Sequence, residues 1–407
     1  MSLTRAYKNL IMNVYGLTMQ KIDKRTAKIL EYISSHGTTN ISEIAKNVNM
    51  PITTVYGIIK RLQRKNIVNV RDFVNFTALG LTQYSVIFYY SKKEGVKSVL
   101  AANKDYQIYF AKSYCEKPCI YAKYVIPINN NKDFIEFLNT AIDLKLIDNY
   151  EAYATTNSYI PPLSFKNFDF RQKTWIFDWE ELLNNLYLTE PQEFLNIRDP
   201  IKVELDNIDL KILFMREINS FTHLSSIKRI FSNVSLQSIY YHYSNHIRKN
   251  NIISATRVIL LPYPYIINDK IISNSIIFFV NFNNTEWMNR FINALKDTCF
   301  LYSTTRIFGE NTLIVHVYLP YIEQPNFLQF LDKLIEDKII SYYRFFIIDP
   351  KTAQVKPLPY HTYDAQNKEW HWPQDEYILK LQSTGVIKEN NMHYSIFPTT
   401  ILQTLFF

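Results

Sequence analysis

Apolar residues recur every three or four positions in three short segments near the start of the chain, a spacing that predicts three helices between residues 23 and 68. Asp23 can cap the first helix, and Gly37 can end it. Asn49 suits the left-handed residue of a tight turn, and Pro51 suits the first turn of the helix that follows. Two short helices joined in this way indicate a helix-turn-helix.

Residues 67–76 alternate between apolar and polar side chains, which is typical of a small β-hairpin. A hairpin that directly follows a helix-turn-helix is a wing. The first module is therefore predicted to be a winged helix-turn-helix which, together with an N-terminal helix, occupies residues 1–76.

The pattern then changes from helical spacing to alternation and back, in the order β-α-β-β-α-β, and it does so twice along the chain. In the first occurrence the strands are expected near 84–91, 106–114, 119–126 and 147–155, and the helices near 93–104 and 130–145. In the second, the strands are expected near 275–283, 299–308, 312–319 and 339–348, and the helices near 285–297 and 324–337. Each occurrence predicts a ferredoxin-like sandwich.

The chain also repeats itself. The octapeptide PLSFKNFD at 162–169 recurs as PLPYHTYD at 357–364, and a Lys and a Trp follow each copy at the same spacing of 195 residues. Repeats this far apart indicate two copies of a whole module rather than a solenoid. The predicted fold class is therefore α+β, with two tandem copies of a winged helix-turn-helix followed by a ferredoxin-like βαββαβ domain.

Each octapeptide opens an aromatic segment that contains one Asp, one Lys and one Trp. Such a segment favours a connector docked on a core, with a salt bridge at its rim, over a ligand site. The residues are Asp169, Lys173 and Trp175 in the first copy, and Asp364, Lys368 and Trp370 in the second. The predicted domains are winged helix one (1–76), ferredoxin-like domain one with its aromatic connector (77–179), a linker (180–202), winged helix two (203–262), ferredoxin-like domain two with its connector (263–372) and a C-terminal extension (373–407).

Composition and charge narrow the class of protein. The chain has 407 residues, 47% of them hydrophobic, and a formal net charge of +8. Residues 5–72 contain 12 Lys and Arg against 4 Asp and Glu, so the basic excess lies on the predicted helix-turn-helix. No apolar run is long enough to span a membrane, no signal-peptide pattern opens the chain, and its 3 cysteines make no disulfide framework. We expect a cytoplasmic protein without a membrane partner.

The string MPITTVYGIIKRLQRKNIV at residues 50–68 resembles the Lrp/AsnC (leucine-responsive regulator) family in the spacing of Pro51, Val55, Ile59 and Leu62. The string IDKRTAKIL just before it resembles the opening helix of that family. Both recur more faintly, as LDNIDLKIL at 205–213 and SIYYHYSNHIRKN at 238–250.

The resemblance implies a transcriptional regulator that binds double-stranded DNA and pairs its ferredoxin-like domains. Because both halves are present in one chain, we expect a single-chain pseudo-dimer, with further homodimerisation left open. Two recognition helices on one side would read half-sites about 34 Å apart. The two helices differ in sequence, so the half-sites should not be identical.

The residues expected to contact DNA are the outward-facing ones of the two third helices, together with one cation at the wing. In the first copy they are Thr53, Thr54, Tyr56, Lys60, Arg61, Arg64, Lys65 and Arg71. In the second copy they are Gln237, Ser238, Tyr240, Tyr241, Arg248 and Lys249. The alternative is a solvated basic face on a structural helix, or, for the second copy, a surface that contacts another protein.

Three further features have residue types that occur in ligand or metal sites. The resemblance implies a small-molecule effector near the turn at Gly309 and Glu310. His242 and His246 have metal-ligand spacing, but the sequence shows no third ligand, so no metal is expected. Cys115 and Cys119 flank a strand turn and are expected to be small apolar strand residues rather than a redox or metal site.

No phosphate-binding loop, dinucleotide glycine pattern or nucleophile motif occurs in the chain, so no cofactor is expected and the protein is predicted not to be an enzyme. Two alternatives stay open. One is an architectural or partner-binding protein. The other is an enzyme similar to the siroheme decarboxylases, which share this domain order and need His and Arg in a tetrapyrrole pocket. His316 is the only histidine in a predicted ferredoxin-like strand.

Overall fold

The computed structural model describes residues 22–37, 40–65, 67–193, 203–231, 234–260, 266–267, 270–271 and 273–386. The N-terminal helix predicted before residue 22 and the tail after residue 386 lie outside these residues. The α-helices are α1 Lys24–His36, α2 Ile41–Asn47, α3 Ile52–Arg64, α4 Lys93–Ala102, α5 Asn131–Asp143, α6 Trp179–Leu188, α7 Asn207–Ile218, α8 Leu224–Ile227, α9 Leu236–Tyr241, α10 Thr285–Leu295, α11 Gln324–Glu336 and α12 Gln374–Val386.

The longer strands are β1 Val68–Val74, β2 Leu81–Tyr89, β3 Gln107–Tyr114, β4 Pro118–Pro127, β5 Asn149–Thr155, β8 Ile253–Leu260, β11 Ser273–Phe282, β12 Leu301–Arg306, β13 Thr312–Pro320 and β14 Ile340–Ile348. The two-residue strands are β6 Phe168–Asp169, β7 Thr174–Trp175, β9 Ile266–Ile267, β10 Lys270–Ile271, β15 Gln354–Val355, β16 Tyr363–Asp364 and β17 Glu369–Trp370. The ferredoxin-like elements therefore lie within a few residues of their predicted positions. Across the described residues, no helix is both long enough and apolar enough to span a membrane.

The fold divides into two compact units that alternate along the chain. Of the described residues, those within 1–75, 158–197 and 215–345 form unit one, and those within 76–157, 198–214 and 346–407 form unit two. Each unit thus combines segments from both halves of the sequence. Consecutive stretches of chain do not by themselves form the compact bodies.

The helix-turn-helix in unit one forms as its pattern predicts. The Asp23 carboxylate accepts a hydrogen bond of 2.7 Å from the Thr26 amide and caps α1, which ends at Gly37 with φ of 89°. Asn49 adopts the left-handed conformation, with φ of 56°, in the turn before α3. The three helices pack their apolar faces into one core.

The predicted wing hairpin at residues 67–76 is wrong. The chain forms the single strand β1, which pairs antiparallel with β8 from the second half of the sequence, so that Val70 faces Val258 and Arg71 faces Arg257. Val258 enters the core of the first winged helix. An alternating pattern predicts that a segment is a strand but does not identify its partner, and here the partner lies far along the chain.

The second ferredoxin-like sheet, in unit one, has the strand order β12-β13-β11-β14. Its helices α10 and α11 cover one face, and Phe278, Phe291 and Phe327 are fully buried beneath them. The predicted linker at 180–202 contains α6, which Asp178 caps through the amide of Glu181. Since Leu182 and Leu186 are buried in the same core, this part of the linker is a packed helix.

The first ferredoxin-like sheet, in unit two, has the order β3-β4-β2-β5, and residues 347–348 and β15 extend it beyond β3. Helices α4, α5 and α12 cover it, so the predicted C-terminal extension begins with a packed helix that buries Tyr377. A Cβ on Gly95 would lie 2.1 Å from the carbonyl oxygen of Leu146. Only glycine therefore lets α4 approach the end of α5 this closely.

The two aromatic segments form two-residue hairpins, β6–β7 and β16–β17. In the first, the Asp169 carboxylate accepts from two amides of its own turn, and Lys173 donates to the carbonyl of Ile22 at 2.8 Å. In the second, Lys368 donates to the carbonyl of Leu205 at 3.1 Å. Each segment thus donates a hydrogen bond to the chain two residues before a helix begins, α1 in the first case and α7 in the second. The expected salt bridge at the rim is replaced by these Lys–carbonyl bonds.

Candidate DNA-binding surface and a buried arginine–histidine cluster

Helix α3 divides into a buried face and an exposed cationic face. Val55, Ile59 and Leu62 are buried in the winged-helix core, as their helical spacing predicts. The opposite face is open to solvent and carries most of the residues predicted to contact DNA. Thr53, Tyr56, Lys60, Arg61, Arg64 and Lys65 are exposed, and Thr54 is half-buried. This face can offer four cations to phosphates and short polar side chains to base edges.

The segment predicted to be the second recognition helix is built differently. It begins as α9, which Ser235 caps through the amide of Ser238, and continues as a π-helix over His242–Arg248. Gln237, Tyr240, Tyr241, Arg248 and Lys249 are exposed, and Ser238 is half-buried. The rings of His242 and His246 lie 4.5 Å apart on the π-helical part. Two tyrosines and a wide helical turn thus replace the regular cationic face of α3.

Arg71 does not lie at the tip of a wing. It is half-buried on β1, directly opposite Arg257 in the β1–β8 ladder. Burial lowers the pKa of the Arg71 guanidinium, and the nearby Tyr302 and Glu217 oppose that shift. Its predicted contact with DNA stays a prediction, but the hairpin on which that prediction depended does not form.

The turn predicted to bind an effector is a tight connection between β12 and β13. Gly309 has φ of 77°, with no atom within 4 Å of the position that a Cβ would take, and it is exposed together with Glu310. The Glu310 carboxylate accepts from the Thr312 hydroxyl at 2.8 Å, and its carbonyl accepts from Arg306 Nε at 2.9 Å. These bonds hold the turn itself.

A second cluster in unit one was not foreseen from the sequence. The Arg257 guanidinium lies over the Tyr302 ring, 3.9 Å from its centre, and donates to the Tyr302 carbonyl. The His316 ring lies 4.7 Å from that of Tyr302, and its Nε2 is 2.7 Å from the Ser275 hydroxyl. Arg257 and His316 are each only 6% exposed. Two arginines, Arg71 and Arg257, therefore lie beside the half-buried Tyr302 and the buried His316.

The cluster occupies the face of the second sheet that the helices do not cover. Phe278 and Val315 point into the helical core, so Ser275 and His316, which alternate with such residues on β11 and β13, point to the opposite face. His316 was singled out in the sequence as a histidine of a ferredoxin-like strand. Its arginine neighbours could not be found there, because only the β1–β8 register brings Arg71 and Arg257 to this sheet.

The fold and the first site define a winged helix-turn-helix followed by ferredoxin-like sheets. A family model described as "Winged helix-turn-helix DNA-binding" matches residues 22–69. The chain therefore carries a winged helix-turn-helix DNA-binding domain at these residues, in agreement with the expectation. The match covers this module and not the rest of the chain. No curated protein matches the sequence.

Several solved structures are similar to this chain. The crystal structure of the siroheme decarboxylase NirDL is 12% identical, with 88% of this chain and 99% of that chain covered and a TM-score of 0.47. The crystal structure of NirDL in complex with an iron-uroporphyrin III analogue is 10% identical, with 88% of this chain and 99% of that chain covered and a TM-score of 0.48. An AsnC family transcriptional regulator from Agrobacterium tumefaciens is 13% identical over 33% of this chain and 89% of that chain, with a TM-score of 0.27.

These comparisons correct one expectation. The two structures that are similar over 88% of this chain come from a decarboxylase, which is an enzyme. This finding contradicts the prediction that the chain is not an enzyme, and the exclusion is withdrawn. At these identities and TM-scores the similarity assigns no activity to this chain.

Proposed function

We propose that the protein is a DNA-binding transcriptional regulator that acts as a single-chain pseudo-dimer. The exposed cationic face of α3 carries this proposal: Lys60, Arg61, Arg64 and Lys65 all face solvent within the matched winged helix-turn-helix. A row of cations on such a helix is the arrangement that neutralises phosphates beside the major groove.

Pseudo-dimerism is supported by equivalent details in the two halves. The hairpins β6–β7 and β16–β17, and the starts of α6 and α12, recur at the spacing of 195 residues seen in the octapeptides. The β1–β8 ladder joins the strand that follows α3 to the strand that follows the π-helix within unit one. Because α3 and the π-helical segment present different side chains, we propose two non-identical half-sites.

The DNA-binding proposal is tested with the purified full-length chain and with DNA duplexes that this chain selects from a random pool. Replacing Lys60, Arg61 and Arg64 by Ala should weaken binding by at least about tenfold and flatten the salt slope by about 3, roughly one per lost phosphate contact. The matched control replaces Lys24, Arg25 and Lys28 by Ala. These cations are exposed on α1 of the same domain, so the net charge changes equally. Equal effects in the two variants would contradict the assignment to α3.

The proposal of two different half-sites is tested separately. The selected operator is compared with two symmetrised versions, each of which carries one half-site twice. The native order should bind more tightly than either symmetrised duplex, because each half-site is read by a different helix. Indistinguishable affinities for all three duplexes would contradict this part of the proposal and leave DNA binding itself intact.

The buried arginine–histidine cluster favours a second candidate function, a tetrapyrrole decarboxylase. Uroporphyrin-type tetrapyrroles carry carboxylate side chains, and paired arginines are the usual partners of carboxylates in proteins. Arg71 and Arg257 could hold such carboxylates, and His316, with Ser275 at 2.7 Å, could move a proton beside them.

The second candidate is tested with iron-uroporphyrin III and the full-length chain. Saturable binding should shift its visible absorption, and Arg257→Ala and His316→Ala should abolish that shift. Arg229→Ala is the control, because Arg229 is an exposed cation of the same unit. Loss of carbon dioxide from the bound tetrapyrrole, measured by mass spectrometry, would establish the reaction. A shift that survives both cluster variants would contradict the candidate.

A further inference from the structure

Two thiols that the sequence separates by three residues meet at the turn between β3 and β4. Cys115 Sγ and Cys119 Sγ are 3.1 Å apart. Non-bonded carbon atoms rest about 3.5–4.0 Å apart, and sulfur is the larger atom, so this contact is closer than apolar packing requires. The expectation that these cysteines are merely small apolar strand residues does not account for such a contact.

The turn holds the two thiols in unequal surroundings. Cys115 is exposed, and its thiol lies 3.0 Å from the Lys117 carbonyl. Cys119 is fully buried in β4, and its thiol lies 3.5 Å from the Ser113 carbonyl. The ladder between β3 and β4 reaches Tyr114 opposite Pro118, so the strands hold the ends of this short turn together. One sulfur can meet a solute while the other is positioned directly behind it.

We propose that Cys115 and Cys119 form a dithiol site that a hydroperoxide oxidises reversibly to a disulfide. The Cys115 thiolate attacks the terminal peroxide oxygen, the O–O bond breaks, and the products are a Cys115 sulfenic acid and, after protonation, water or an alcohol. Cys119 sulfur then attacks the Cys115 sulfur. The S–S bond forms, the S–O bond breaks, and the Cys119 proton leaves with the hydroxyl as water. Two cysteines are oxidised by two electrons, and one peroxide is reduced.

The burial of Cys119 assigns the order of the two steps. Burial raises the pKa of the Cys119 thiol, and the contact with Cys115 raises it further, so this sulfur remains protonated near neutral pH. A protonated, enclosed thiol is a poor first target for a peroxide. It can still resolve a sulfenic acid that forms in direct contact with it. Disulfides of this kind in cytosolic proteins are usually transient and redox-sensing.

The site is tested on the full-length chain by counting free thiols after one equivalent of hydrogen peroxide. The chain has 3 cysteines, and the third, Cys299, is buried elsewhere, in unit one, and serves as an internal control. We expect the count to fall from three to one, the mass to drop by two hydrogen atoms in a peptide that contains residues 115–119, and dithiothreitol to restore both. Retention of all three thiols would overturn the proposal.

Serine variants test the roles of the two thiols. Cys119→Ser should trap a sulfenic acid on Cys115 that a dimedone reagent labels. Cys115→Ser should resist one equivalent of peroxide, and Cys299→Ser should behave like the unmodified chain. Disulfides between chains in place of the internal one, or loss of two thiols in Cys115→Ser, would overturn the proposal as well. These readouts do not depend on DNA binding, so they stand or fall apart from the proposed function.

Discussion

Asp72 and Arg216 form an ion pair inside unit one, with Arg216 Nε 2.6 Å from Asp72 Oδ2 and side chains that are only 1% and 3% exposed. The hydroxyls of Ser220 and Thr256 donate to the other carboxylate oxygen at 2.8 and 2.7 Å. Asp72 lies on β1, Arg216 on α7 and Thr256 on β8. The Asp72 carboxylate on β1 thus bonds to a side chain of α7 and to a side chain of β8, the strand with which β1 pairs.

Removing one partner of this pair should destabilise the protein strongly. Asp72→Ala leaves the Arg216 charge buried without compensation, which costs about 3–5 kcal/mol of unfolding free energy. Replacing both residues by apolar ones of similar volume, Asp72→Leu with Arg216→Met, should recover only the part of that loss due to the uncompensated charge, because the Ser220 and Thr256 hydroxyls still lose their acceptor. Urea unfolding of Asp72→Leu, Arg216→Met and the double variant measures the coupling between the two residues. Additive losses of unfolding free energy would show that the pair does not act as a unit.

Helix α6 should contribute core packing rather than serve as a linker. Leu186 is fully buried against α10 and α11, whereas Leu188, on the same helix, is 82% exposed. Leu186→Ala should lower the unfolding free energy by about 2–5 kcal/mol, because it leaves a cavity. Leu188→Ala makes the same chemical change at the surface and should stay within about 0.5 kcal/mol. Equal small effects in urea unfolding would show that α6 is not packed as described.

The two connector lysines, Lys173 and Lys368, should each increase the free energy of unfolding. Lys173→Met and Lys368→Met each remove a bond from an ammonium group to a carbonyl, of Ile22 and Leu205 respectively. We expect each to cost about 1–2 kcal/mol, since bonds to charged groups exceed neutral ones. The control is Lys166→Met, which removes only an exposed pair with Glu181 and should cost about 0–1 kcal/mol. A connector variant no worse than this control would contradict a docking role for that lysine.

Tyr106 should make stability depend on alkaline pH. Burial raises its pKa to about 12, and its hydroxyl donates to the His371 carbonyl at 2.6 Å. The folded state keeps this proton between the ordinary tyrosine pKa of about 10 and pH 12, where the unfolded chain loses it. The stabilisation from the neutral phenol is therefore complete below pH 10 and is lost as the pH rises towards 12.

The Tyr106→Phe variant isolates this contribution from that of the other tyrosines. At pH 8 it should be less stable by about 1 kcal/mol, because the His371 carbonyl loses its donor. Between pH 10 and 12 the unmodified protein should lose stability more steeply, so the gap between the two should close. Urea unfolding at intervals from pH 8 to 11.5 makes the comparison, and parallel curves throughout would contradict the shift.

Sequence patterns predicted a helix, strand or turn correctly where the residues that produce it lie within that element. Asp23, Gly37 and Asn49 act through backbone geometry within one turn, so their roles in α1 and in the helix-turn-helix are confirmed. The strands and helices of both ferredoxin-like patterns follow from the period of their apolar residues, which packing on one face imposes. The exposed face of α3 follows from the same spacing.

The failures in placing strands and helices involve partners distant in sequence. Alternation identified β1 as a strand, but nothing in residues 67–76 specifies a partner at 253–260. Because of this pairing, Arg71 lies beside Arg257 and Tyr302 and not on the predicted wing. The predicted linker includes Leu182 and Leu186, because a short apolar helix whose packing partners lie far along the sequence has the same local pattern as a connecting segment.

The sequence by itself determined the elements, the two occurrences of the module pattern, and the cations that α3 exposes, because these depend on spacing along the chain. Only the tertiary structure decided that β1 pairs with β8, that the compact units interleave the two halves, and that Arg257 and His316 both pack against Tyr302. Such choices depend on which distant surfaces bury one another best, and the free energy of that burial is a property of the whole fold.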